Sequence, residues 1–520
     1  MSERSERLFW ALSEINEQKI DEAAPENRTD RSRWKRWGVL AATLVLAVGV
    51  GSYILPRMGG SSSNGGAPGG GGGAGADGAS TFMSYAGPVF PLTLKESDSS
   101  ITAEREITLD FAPWTPEYQG HHADILVTDA YSITNASSED KSVSILYPFS
   151  GALYRLSECM PTLTADGSPL DAVLHAGGYS GGFQSPYGGT EEPLLNLDQV
   201  NSWEEYKALL SDGRYQAAAF GRYPDLSGVP VTVYKFFDYY GPEPDEEAGR
   251  PNPSIRAGFE LDYDRTTVLS YGFHAGSYDR ENGTMIQGFS IPKPFNPWYG
   301  NPYFLIVIGD DIRNLTTGAY VTGGTDSDTE TLDGAGVSVE RYVSDLESAL
   351  HEAAELMYRG NERLREGGAD FELYFGLLKE FIRSYGILSE NPVERYKTTG
   401  WLEELDVDNV DRVFYLEAEL TIPAGGSVRL TAEMTKAASY DFYCAHTENQ
   451  GVYGYDMVTE LGSNLTCREQ TAVLEDRGQI EIIRQNFGFD LANGVNQVSL
   501  DLQQEHYYLE VRGRKISLEQ

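Results

Sequence analysis

Hydrophobic and polar positions change rhythm several times along this chain of 520 residues. Leu8, Leu12 and Ile15 recur at i, i+4 and i+7, with Phe9 and Ile20 beside them. That spacing predicts a short amphipathic helix, capped by Ser2 or Ser5 and closed by Pro25. Gly38 to Leu55 is then unbroken by charge, and only Thr43 and Ser52 carry polar side chains. A helix of that length spans roughly 27 Å, close to the hydrocarbon thickness of a bilayer. From Met58 to Ser80 periodicity vanishes, and 11 of 23 residues are glycine. Such a stretch is expected to act as a slack tether that cannot transmit a push.

Beyond the tether the period is two. The run 128–149, TDAYSITNASSEDKSVSILYPF, alternates on both sides of a polar NASSED turn and reads as a hairpin. Asp166-Gly167 stands between two further runs. Strands are also expected at 231–240, 254–263 and 303–311, and one short helix from Leu197. Near Ser338 the period lengthens. Val339, Tyr342, Val343, Leu346, Leu350, Ala353 and Met357 form one stripe, and Phe371, Tyr374, Phe375, Leu378, Phe381, Ile382 and Tyr385 a second. With Gly367 and Gly368 between them, the two stripes predict an antiparallel helix pair. Alternation returns after Asp411 and continues to HYYLEVRG at 506–513.

The expected class is mainly β with an inserted helical pair: two β-sandwich-like extracytoplasmic domains after a single transmembrane helix. The expected boundaries are a cytoplasmic segment 1–37, a span 38–56, a Gly/Ser-rich linker 57–84, a β-rich domain 85–335, a helical hairpin 336–390 and a C-terminal sandwich-like domain 391–520.

Charge sets the orientation and narrows the partners. Arg31, Arg33, Lys35 and Arg36 precede the span, against Arg57 after it, which places the N-terminus in the cytoplasm. A cleaved signal peptide has an apolar core of about 7–15 residues; this one is longer, so an uncleaved single-pass anchor in the cell membrane is expected. The formal charge is −38, and residues 58–520 carry 70 Asp and Glu against 31 Lys and Arg. Such an exported region repels nucleic acid and anionic polymers. Three cysteines are too few for a disulfide framework; Cys444 and Cys467 share a region in which they could pair.

No catalytic, metal or cofactor site is assigned. GYSGG at 178–182 matches the serine-hydrolase elbow only formally, because a loop follows where a helix is required. HEAAE at His351 lacks the second histidine of a zinc helix, and the acidic loops at Asp326 and Leu405 lack the EF-hand glycine. There is no P-loop, dinucleotide fingerprint or C-x-x-C. Aromatic loops remain: FNPWYGNPYF places Trp298 and Tyr299 where rings can stack on sugars or meet a protein.

The first 57 residues, with LFWALSEINEQKIDEA, an Arg/Lys/Trp cluster and the span RWGVLAATLVLAVGVG, resemble membrane-anchored anti-sigma-factor-like single-pass proteins of clostridial bacteria. The resemblance implies that Leu8, Phe9, Leu12 and Ile15 contact a cytoplasmic sigma factor or other regulator. The function expected is envelope sensing and regulation; the alternative is a surface-displayed glycan- or protein-binding protein that uses the helix only as an anchor. The bilayer is contacted through residues 38–55.

Overall fold

The structure is a computed structural model describing residues 86–114, 123–179, 213–242, 253–293, 299–321, 330–396, 400–405, 407–441 and 451–514, with isolated positions at 207, 210, 211, 325 and 449. Outside that set lie the expected cytoplasmic helix with Leu8, Phe9, Leu12 and Ile15, the span 38–56, the linker, Trp298, Ser180, Cys444 and most of the helix expected from Leu197. Among the described residues, no helix is long and apolar enough to cross a membrane.

Two sheets are assembled from opposite ends of the described chain. The first joins β1 (Thr93–Leu94), β4 (Lys141–Gly151), β16 (Arg412–Ile422) and β7 (Val173–Tyr179), in that order. The second runs β22 (Gln497–Ser499), β20 (Thr466–Glu475), β2 (Ile101–Asp110), β3 (Ile125–Asn135), β17 (Ser427–Lys436), β5 (Thr162–Ala165) and β6 (Ser168–Pro169). Every pairing in both is antiparallel except β2 with β20. A third sheet, β18 (Tyr440–Asp441), β19 (Tyr453–Val458), β23 (His506–Gly513) and β21 (Ile480–Gln485), comes wholly from the C-terminal part.

The expected hairpin at 128–149 is corrected. β3 and β4 are strands, but they lie in different sheets, so residues 136–140 form an arch between layers. β16 and β17 make a second arch of the same kind, and the two are stacked strand on strand, β4 on β16 and β3 on β17. Asn135 clasps them. Its buried Nδ2 donates to the Glu139 and Ile422 carbonyls at 2.8 and 3.1 Å, and its Oδ1 accepts from Ser137 N at 2.9 Å. The Asp166-Gly167 turn is present between β5 and β6, with φ of 48° and 78°, the left-handed pair that a two-residue hairpin turn requires.

The expected partition into an 85–335 domain and a separate 391–520 domain is corrected likewise. β16, β17 and β20 complete sheets begun by β1 to β5, and the chain between β7 and β16 is an insertion. Two further four-stranded sheets occupy it: β10 (Thr266–Tyr271), β13 (Tyr303–Gly309), β8 (Pro230–Tyr240) and β15 (Gly336–Asp345); and β11 (Ala275–Asp279), β12 (Thr284–Ser290), β9 (Ser254–Glu260) and β14 (Arg313–Tyr320). The helical stripe expected from Val339 begins later. Residues 336–345 pair with β8 as a strand, and the helix runs Leu346–Gly360 with Asp345 as its cap, accepting from Ser348 N at 2.9 Å. A second helix, Phe371–Ser384, returns beside it: Lys379 pairs with Glu347 at 2.8 Å, and Tyr358 meets Phe371 at the other end. The pair is antiparallel, as expected.

Between the two main sheets the core holds a closed polar network. Arg105 sits in the inward row of β2 and grips Asp129 of β3 through Nε and Nη2, at 2.8 and 2.9 Å. Tyr131 and, from the facing sheet, Tyr147 donate to Asp129 Oδ2 at 2.9 and 3.0 Å. Arg105 also donates to the carbonyls of Val458 and Phe90. With its lone pairs filled the carboxylate is compensated, which a buried charge requires. Cys467 is a buried free thiol on β20.

Candidate functional site

The core of the insertion holds many rings, because Phe and Tyr alternate with aliphatic residues among its inward strand positions. Phe289 meets Tyr303 edge-on at 4.6 Å and Phe273 at 5.4 Å, and Tyr239 stacks on Tyr303 at 5.7 Å. Among the described residues, this aromatic core reaches the surface at Tyr299. Tyr239 accepts from Gly300 N at 2.6 Å and meets the edge of Tyr299, which is 52% exposed.

From there a line of side chains follows the chain past β10 and along β11. Tyr271 lies edge-on to Tyr303. Beside it Glu403 accepts from Gly272 N at 2.5 Å, and the desolvation imposed by the surrounding protein pushes its carboxyl up to about 7. Trp401 donates from Nε1 to Gln287 at 2.9 Å, and Gln287 donates in turn to the Tyr278 hydroxyl at 3.2 Å. Gly276 on β11 leaves room for both rings: a Cβ there would lie within 3.3 Å of Trp401 and 3.0 Å of Tyr278.

The line ends in a cleft of about 440 Å³. Tyr263 and Tyr396 form one wall, with ring centroids 5.1 Å apart, and the Arg280 guanidinium lies 5.2 Å from the Tyr396 ring. The Tyr396 hydroxyl is anchored on the Thr266 carbonyl. Arg313, Asp262, Asp264, Glu281 and Asn282 are among the other residues that line it. Donors and acceptors thus surround two ring faces in one open, mainly polar recess.

A second cavity, of about 50 Å³, is enclosed between residues 86–90, the end of β4 and the end of β17. Ser150, Arg155, Cys159, Asp411 and Lys436 line it. Burial pushes the Asp411 carboxyl up to about 6 and the Cys159 thiol to about 12, and it lowers the Lys436 amine. Burial thus favours the protonated thiol, and a space of this size suits water rather than a larger ligand.

Of the residues singled out in the sequence, Tyr299 stands at one end of the aromatic line. His175, near the formal GYSGG motif, pairs with Glu417 at 2.9 Å and lies against the Phe220 ring, which occupies it otherwise. His351 packs between Phe371 and Phe375. Among the described residues, no three His, Cys, Asp or Glu side chains are grouped to hold a metal. Tyr263, Tyr278, Arg280, Tyr396, Trp401 and Glu403 were not foreseen. Their only local signal is tyrosine set among charges, in LDYD, SYDREN and ERYK. No family profile matches the chain, and no curated protein matches it.

Proposed function

We propose that this is a surface-displayed glycan-binding protein without catalytic activity, anchored in the cell membrane by residues 38–56, with its N-terminus cytoplasmic and its acidic β-rich region outside. The carrying observation is the Tyr263–Tyr396 cleft, where ring faces lie among Arg280, Asp262 and Asn282. Ring faces take the apolar side of a sugar, and the polar groups take its hydroxyls. The test is glycan-array binding by the full chain in detergent micelles. Binding is expected and is weakened by Tyr396→Ala and by Tyr299→Ala; retention of no carbohydrate sinks the reading.

The sensing reading draws on a different observation, the apolar stripe Leu8, Phe9, Leu12 and Ile15, which needs a partner to cover it. On that reading a cytoplasmic sigma factor or other regulator binds the stripe, and cutting the glycine tether releases it. A pull-down of the host's sigma factors on residues 1–36 decides it: capture lost on Leu12→Asp supports it, and no capture ends it.

A further inference from the structure

On the reading that the cleft takes a glycan, we infer that the ligand is a linear, uncharged oligosaccharide of several units, laid in extended form from Arg280 along β11 to Tyr299. Three observations carry this.

The first is continuity. Tyr396, Tyr278 and Trp401 are each partly exposed and stand beside residues 276–280, and the exposed Tyr299 is joined to Tyr271, at the other end of that segment, through Tyr239 and the buried Tyr303. β11 alone is five residues long, about 17 Å at strand rise, so a monosaccharide in the cleft leaves most of the line unused. β11 is also an edge strand whose five residues are all half-buried, which leaves a shallow ledge rather than a closed pocket.

The second is charge. The cleft holds Arg280 and Arg313 against Asp262, Asp264 and Glu281, within a chain of net charge −38. A polyanion meets repulsion both from the whole molecule and from the cleft's own carboxylates. A cationic ligand is drawn by the net charge of the chain but meets two guanidinium groups in the cleft itself. Hydroxyls suit both sets, because carboxylates accept from them and guanidinium groups donate to them.

The third is preorganisation. Arg280 lies over the Tyr396 ring, Trp401 is fixed by Gln287, and the Tyr396 hydroxyl is tied to the Thr266 carbonyl. Rings held in this way cost little ordering entropy when a ligand arrives.

The experiment is titration of the full chain in micelles with neutral oligosaccharides of increasing length and with matched uronate-bearing ones. Affinity for the neutral series is expected to climb with length and to stay flat between about 50 and 500 mM salt, where screening would expose an ionic contribution. Tyr396→Ala weakens every length, whereas Tyr299→Ala weakens only the long chains, each by between about threefold and tenfold for one stacking face lost. Tyr396→Phe keeps the ring and separates stacking from misfolding. Tighter, salt-sensitive binding of the uronates overturns the uncharged assignment. Equal affinity at all lengths overturns the extended path and leaves the glycan reading standing. Binding of an extended peptide with no carbohydrate binding at all overturns both.

Discussion

Asp129 is fully buried and accepts four hydrogen bonds, from Arg105, Tyr131 and Tyr147. Asp129→Ala leaves a buried guanidinium uncompensated and is expected to cost about 3–5 kcal/mol, read from urea unfolding at neutral pH. Asp411 behaves in the opposite sense. Its carboxyl is pushed up from 3.8 to about 6, so the folded state holds a proton that the unfolded state releases earlier. Stability attached to this group is present at acid pH and is lost as pH rises from near 4 through 6. Asp411→Asn is therefore expected to match the parent at pH 3 and to exceed it at pH 8 by on the order of 3 kcal/mol. A variant weaker than the parent at pH 8 would show instead that the ionised group pairs with Lys436. The same kind of residue limits what a sequence reveals. Arg105 occupies an inward position of β2 between Ala103 and Ile107, so ITAEREITLD reads as polar and the strand goes unseen.

At the scale of elements, most strands were legible: β8, β20 and β23 alternate as a pleated surface requires, and β9 and β13 are short, almost wholly buried runs bounded by turn residues. Their partners were not, because a polar five-residue connection serves a hairpin and an arch equally well. The segment 336–345 failed for another reason: Val339, Tyr342 and Val343 fall by chance on the helical spacing continued by Leu346. Pairing with β8 decides the matter, and Asp345 marks the true start. The arches offer a direct test. Asn135→Ala strips partners from the Glu139 and Ile422 carbonyls at once, and is expected to cost about 1–3 kcal/mol in thermal or urea unfolding. A loss of a few tenths would mean that water replaces the amide.

For the whole molecule, the sequence supported a mainly β chain with a helical pair. It could not disclose that the described ends belong together, because register between distant strands leaves no local trace. Likewise the cleft gathers residues from 261–283, 313 and 392–396, which no window of sequence sees together. A fragment of residues 391–520 lacks β2, β3, β4, β5 and β7, with which β16, β17 and one side of β20 pair, and is expected to show no cooperative melting by circular dichroism. A sharp transition in that fragment would sink the interleaved architecture. The parallel pairing of β2 with β20 also governs how such a chain is made. Thr102 must wait for Thr466, so for most of synthesis β2 is a finished strand with one side unpaired. β4 waits for β16 in the same way. Open strand edges recruit other chains, and contacts so far apart in sequence form slowly. A nascent copy is thus most exposed to aggregation late in its own production, when all but its last fifth has emerged, and a holding chaperone has the most to offer then.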